Sequence, residues 1–216
     1  MRASSKPLRP FGSRSEACRG WGYRLAGLLA LLVVVCGVDA APAADLKTGA
    51  FSPPRAAPEF SLLGSDGSPL TLRRYRGKVV ALGFGYSSCP DVCPTTLFLL
   101  AQAKTKLGAA ANNLQVVYVT VDPERDTVSR LQKFLAAYDS TFVGGTGAPE
   151  QLAAVRKDYG IQISKEPSRA GDPSVYAVHH SSFVYLIDTE GKLRAMMPFG
   201  VTVDDIVHDV KSLLRN

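Results

Sequence analysis

Hydrophobic residues along the chain fall into short blocks whose period changes from one block to the next. Val79-Val80-Ala81-Leu82-Gly83-Phe84 is apolar throughout, and Leu114-Gln115-Val116-Val117-Tyr118-Val119-Thr120-Val121 is rich in β-branched residues after the Asn112-Asn113 breaker. Both predict short buried strands. Thr95 to Leu107 reads as a helix directly after the first of them. A second helix begins near Val128, with Asp126 or Thr127 as its cap and Leu131, Phe134, Leu135 and Tyr138 at helical spacing. Ala148 to Tyr159 predicts a third helix that turns Leu152, Val155 and Tyr159 inward. Val203 to Leu214 predicts a fourth that buries Val203, Ile206, Val207, Val210 and Leu214 and leaves His208 on its polar side.

Between these blocks lie turn signals. Gly64-Ser65-Asp66-Gly67-Ser68-Pro69 separates Phe60–Leu63 from Leu70–Leu72 as a hairpin turn, and Thr189-Glu190-Gly191-Lys192 joins Val175–Asp188 to Leu193–Phe199 in the same way. Thr141–Gly145 is a short strand or turn, and the polar, Pro/Gly-rich stretch Ser164–Ser174 reads as a loop. The order strand, helix, strand, helix, helix, hairpin, helix predicts an α/β domain with a thioredoxin-like fold, an N-terminal β-hairpin and an inserted hairpin or loop. Three segments follow: 1–44, a signal peptide or membrane anchor; 45–57, a linker containing Pro53 and Pro54; and 58–216, the folded domain.

The 216 residues are 46% hydrophobic, enough for one packed core, and carry a net charge of +6. Much of that excess sits at the start, where Arg2, Lys6, Arg9, Arg14, Arg19 and Arg24 face only Glu16 and Asp39. The rest of the chain is close to neutral, so a nucleic-acid surface is not indicated. The positive region, the uncharged run Leu25–Val38 and the small residues Ala40-Ala41-Pro42-Ala43-Ala44 follow the order of an export signal. The run is short for a bilayer span, although an uncleaved anchor that recruits flanking residues has the same pattern. An Arg- and Ser-rich, acid-poor leader also suits an organelle transit peptide. Val35 before Cys36 is a poor match for a lipoprotein site. Removal of this segment takes Cys18 and Cys36 with it and leaves Cys89 and Cys93.

That pair is the chemical centre of the sequence. Cys89-Pro90-Asp91-Val92-Cys93-Pro94 falls at the turn from the first buried strand into the first helix. Residues four apart share a helix face, within reach of a disulfide or of one metal ion. Helix-start N–H groups would favour thiolate, and the prolines suit positions where a missing N–H is harmless. Such a short loop adds little as a structural staple, which argues for function over stapling. The alternative is a pair of small core-filling residues. His179 and His180 are adjacent and, if extended, point to opposite faces, so one at most joins the cysteines. Asp122, Glu124 and Asp126 allow a carboxylate metal site, but turn and cap chemistry accounts for them. Met196 and Met197 read as strand packing, and Arg73–Lys78 as a solvated basic turn.

Taken together, Phe84-Gly85-Tyr86 before Cys89-Pro90-Asp91-Val92-Cys93-Pro94, then Asp122-Pro123-Glu124-Arg125-Asp126-Thr127, then His180-Ser181 shortly before Tyr185-Leu186-Ile187, closely resemble the Sco/SenC family of copper metallochaperones. The resemblance runs from about Pro58 to the last helix. It implies a thioredoxin fold that binds Cu(I) or Cu(II) through Cys89, Cys93 and His180, the first two also forming a redox-active disulfide. It implies a task in assembling the binuclear copper site of cytochrome c oxidase subunit II, or of another copper-receiving protein, with an upstream copper donor or thiol reductant. The implied place is the bacterial periplasm or the periplasmic face of the inner membrane, or else the mitochondrial inner membrane facing the intermembrane space. Ser88 stands where many members carry His, and His179 where Asp commonly precedes the ligand His; both bear on tuning of the site. A second class is a thiol-disulfide oxidoreductase or thiol peroxidase that needs no copper, against which the three-residue gap between the cysteines counts.

Overall fold

The computed structural model describes residues 45–167 and 176–215. The leader reading of 1–44 lies outside them. Among the described residues no helix is long and apolar enough to cross a membrane.

Among the described residues the chain forms ten strands and four α-helices: β1 Gly49–Ala56, β2 Leu62–Gly64, β3 Pro69–Leu70, β4 Val79–Gly85, α1 Val92–Leu107, β5 Leu114–Thr120, α2 Val128–Ala136, β6 Val143–Thr146, α3 Pro149–Asp158, β7 Ile163–Pro167, β8 Tyr176–His180, β9 Val184–Ile187, β10 Lys192–Met197 and α4 Val203–Leu214. Eight strands form one sheet in the order β1-β10-β9-β4-β5-β6-β2-β3. Its centre, β4-β5-β6, is parallel, and β9 runs antiparallel to β4. Every residue of β4 and β5 is buried, which is why both segments are nearly continuous apolar runs. α1 packs on α4, α4 on β4 and α2 on β6. Leu97 and Leu100 of α1 are fully buried, each contributing about 1.5–3 kcal/mol of hydrophobic stabilisation.

β7 and β8 form a separate two-stranded ribbon in which Ile163 pairs with His180. This corrects the loop reading of Ser164–Ser174: Ser164–Pro167 is strand, its polar residues being those of a ribbon exposed on most positions, and residues 168–174 lie outside the described residues.

The linker reading of 45–57 is corrected as well. Gly49–Ala56 is the edge strand of the sheet, paired antiparallel with β10 at Gly49↔Met196, Ala50↔Ala195, Arg55↔Leu193 and Ala56↔Lys192. Pro53 and Pro54 sit where the register slips between Ala50 and Arg55, the place an edge strand tolerates a missing N–H. Because β1 is exposed along nearly its whole length, it carries no hydrophobic alternation to betray it. Just before it, Asp209 of α4 accepts from the Lys47 N–H, the Thr48 N–H and the Thr48 hydroxyl at 2.7–3.1 Å. That contact also explains a charged residue on the buried face of α4, where Asp209 and Ser212 join Ile206, Val207, Val210 and Leu213 while Val203 and Leu214 are only partly covered.

Candidate metal centre

The first parallel strand delivers the chain to the turn Tyr86–Asp91, and α1 starts at Val92. Cys93 is therefore the second helical residue and Pro94 the third, where the missing N–H is harmless. Cys89 precedes the helix, in a turn closed by its N–H donating to the Tyr86 carbonyl at 3.2 Å. The two cysteines do not share a helix face as the spacing alone suggested; the turn folds Cys89 back beside Cys93. Both are free thiols, Cys93 buried and Cys89 partly exposed.

His180 arrives at the end of β8. Its Nε2 lies 3.3 Å from Cys93 Sγ, and its Nδ1–H donates to the Ser181 carbonyl at 2.9 Å, leaving the Nε2 lone pair to face the thiols. The Tyr86 ring stands edge-on to the imidazole at 6.0 Å, and the Tyr86 hydroxyl accepts from the Val178 N–H at 3.3 Å. The ligand atoms of Cys89, Cys93 and His180 all lie within 4.8 Å of one another. His179 points the other way, exposed and paired with Glu166 at 2.8 Å, as extended alternation requires.

Burial governs the electrostatics. Cys93, 3% exposed, has its thiol pushed up to about 12 by desolvation, with the Tyr118 hydroxyl and a backbone N–H pulling the other way. The helix-start expectation of a stabilised thiolate is thus overturned at Cys93. A helix N-terminus is worth about 0.3–1 kcal/mol to a negative charge, whereas the rise from the ordinary 9.0 to about 12 corresponds to roughly 4 kcal/mol. Desolvation likewise lowers the His180 imidazole below its ordinary 6.5 and keeps it neutral. Any metal ion taken here must displace the Cys93 proton, so affinity should rise about tenfold per pH unit for each thiol proton released. Competition titrations at about pH 6, 7 and 8 check this, and a flat profile would contradict it. Desolvation lowers the His180 imidazole, so its proton adds less to this slope than that of an exposed imidazole would.

Two clamps hold the ligand-bearing segments. Asp126, 1% exposed, accepts from the Ser87 N–H at 3.1 Å, the Ser87 hydroxyl at 2.5 Å and the Thr120 hydroxyl at 2.7 Å. Arg130 reaches Ser87 Oγ at 2.7 Å and Ser88 Oγ at 2.8 Å, so Ser88 is part of the tether on the cysteine turn. On the other side Arg125 pairs with the fully buried Asp122, donates to the Tyr176 carbonyl at 3.1 Å and stacks on the Tyr176 ring at 3.8 Å. The Tyr176 hydroxyl donates to Asp122 at 2.6 Å and stands 3.1 Å from a Glu124 carboxylate oxygen. Of the two cap candidates it is Thr127 that caps α2, while Asp126, like Asp122 in the turn before it, is a buried anchor. Sequence reasoning missed Arg125, Arg130 and Tyr176; the arginines three and four residues after those aspartates were the available signal. Met197 is buried in the core, as strand packing requires, and Met196 is exposed.

Two sulfurs and one imidazole nitrogen converging at the strand-to-helix turn define a thioredoxin-like domain equipped for a soft metal or for thiol exchange. The chain belongs to the SCO1/SenC family, whose model matches residues 49–215. It is 35% identical over 157 residues to the mitochondrial protein SCO1 homolog 1 of Arabidopsis thaliana, covering 72% of this chain but 46% of that protein, about half its length. Among solved structures, copper-bound ScoI of Bradyrhizobium japonicum superposes with a TM-score of 0.67 at 30% identity, over 73% of this chain and 99% of that one. BsSco, described with a disulfide switch and as a Sco-family cytochrome c oxidase assembly protein, gives 0.59 at 27% identity over 75% and 95%.

Proposed function

We propose that this chain is a copper metallochaperone that holds one copper ion through Cys89 Sγ, Cys93 Sγ and His180 Nε2 and serves the assembly of the binuclear copper site of cytochrome c oxidase. The observation that carries the reading is the convergence of those three atoms within 4.8 Å, in a family with copper-bound members. Thiolates select Cu(I), and imidazole serves either oxidation state. With three ligands from the chain and Cys89 partly exposed, an incoming thiolate of a client can reach the metal and take it by exchange.

The closeness of the two sulfurs supports a second role at the same site. The partly exposed Cys89, as thiolate, attacks a client disulfide, forming a mixed disulfide and releasing one client thiolate. Cys93, losing its proton, then attacks Cys89 Sγ and releases the second, so the client gains two electrons and Cys89–Cys93 becomes the disulfide. Subunit II of the oxidase is the client that fits both roles, and 1–44 serves as the export signal or anchor that brings the domain to the periplasmic face of the membrane.

Anaerobic mixing of the Cu(I)-loaded chain with the apo copper domain of subunit II tests this. Copper should move to the client when its cysteines are reduced, and the apo, reduced chain should reduce the client when they are oxidised. Retention of copper with no change in the client's disulfide would contradict the proposal.

A further inference from the structure

One polar atom beside the ligands is unaccounted for. Tyr118, in the middle of β5, is buried, and its hydroxyl has no hydrogen-bond partner. Buried hydroxyls without partners are uncommon and destabilising. The position of this one is set by the neighbouring strand. Gly83 pairs with Tyr118 across the parallel ladder, and a Cβ on Gly83 would stand 3.3 Å from the tyrosine ring. A Cβ on Gly85 would collide with the Tyr118 hydroxyl and stand 2.7 Å from Cys93 Sγ. Two glycines at alternate positions of β4 thus open a lane along which the ring runs, and the hydroxyl ends beside the sulfur. Cys93, Tyr118 and His180 line the same small cavity.

We infer that Tyr118 is a positioning and tuning residue of the copper site, whose hydroxyl donates an O–H···S hydrogen bond to the Cys93 thiolate once copper has displaced the thiol proton. This rests on the ligand assignment above. A neutral thiol sulfur is a weak acceptor, so the hydroxyl beside it gains little there; a thiolate is a strong one. The bond stabilises negative charge on sulfur. It therefore favours Cu(I), which drains less of that charge than Cu(II), and hydrogen bonding at a cysteine sulfur is a recognised lever on copper potential.

The test compares the full chain with its Tyr118→Phe variant, both with Cys18 and Cys36 replaced by serine so that only the site thiols remain. Cu(I) affinity is measured against a chromophoric chelator, the sulfur-to-Cu(II) charge-transfer absorption is recorded, and thermal midpoints of the metal-free proteins are compared. Tyr118→Phe should weaken Cu(I) binding about 10–100-fold, move the absorption to longer wavelength, and leave the metal-free midpoint unchanged or higher, since an unpartnered hydroxyl has been removed. A merely structural tyrosine would lower the midpoint and leave the absorption alone, which would overturn the inference. So would native affinity together with native absorption in the variant. Failure of the native chain itself to hold Cu(I) is a separate result, visible before the variant is measured, and it would overturn the ligand reading and this inference with it.

Discussion

Replacing Cys93 with serine lowers Cu(I) affinity by more than about 100-fold, beyond the 10–100-fold that loss of a supporting partner typically causes. Cys93 Sγ is the central donor of the set: it faces His180 Nε2 at 3.3 Å and is almost fully buried, so no solvent ligand easily takes its place. A serine hydroxyl is a hard oxygen that keeps its proton and offers little to Cu(I). The change in volume is small, so urea unfolding should show a loss of no more than about 1–3 kcal/mol, the range for a buried hydroxyl lacking a partner. Retention of Cu(I) affinity within about tenfold of native would remove Cys93 from the ligand set.

The second large effect lies away from the ligands. Arg125→Ala should lower stability by about 3 kcal/mol, the lower part of the 3–5 kcal/mol range for breaking a buried pair, because the arginine is 22% exposed while Asp122 is fully buried. It also removes the hydrogen bond to the Tyr176 carbonyl and a cation–π contact at 3.8 Å. Those contacts secure the start of β8, and β8 ends in His180. Copper affinity should therefore fall by about tenfold or more although no ligand has changed. Equilibrium urea unfolding and the competition titration check the two parts. Stability within about 1 kcal/mol of native, with native affinity, would show that Asp122 and Arg125 hold nothing in place. Arg125→Lys should rescue only in part, since lysine lacks the planar fork that serves Asp122 and the Tyr176 carbonyl together.

The contrast between these two predictions follows what the sequence makes visible. The cysteine pair and its strand-to-helix setting are local, encoded in adjacent residues, and both appear where the pattern places them. β4, β5 and α4 were equally legible, because full burial writes continuous apolar runs and a 3.6-residue stripe writes a helix. Strand alternation left one of two adjacent imidazoles, the resemblance supplied the choice of His180, and the structure places its Nε2 3.3 Å from Cys93 Sγ. What escaped notice depends on long-range closure. Arg125 meets Tyr176 across half a hundred residues of chain, and no local period encodes that. β1 escaped because an exposed edge strand has no buried face to alternate. The Cys93 thiol went the wrong way because a sequence shows a helix start but not the depth at which it lies, and here desolvation outweighs the dipole.

The proposed copper site comprises Cys89, Cys93 and His180. It is tested most directly by anaerobic Cu(I) titration of the reduced chain, with Cys18 and Cys36 replaced by serine, against a competing chelator and alongside Cys89→Ser, Cys93→Ser and His180→Ala. A single tightly held equivalent is expected in the native site, with weaker binding in each of the three variants. Failure of the native chain to compete, or an affinity indifferent to His180→Ala, would contradict it.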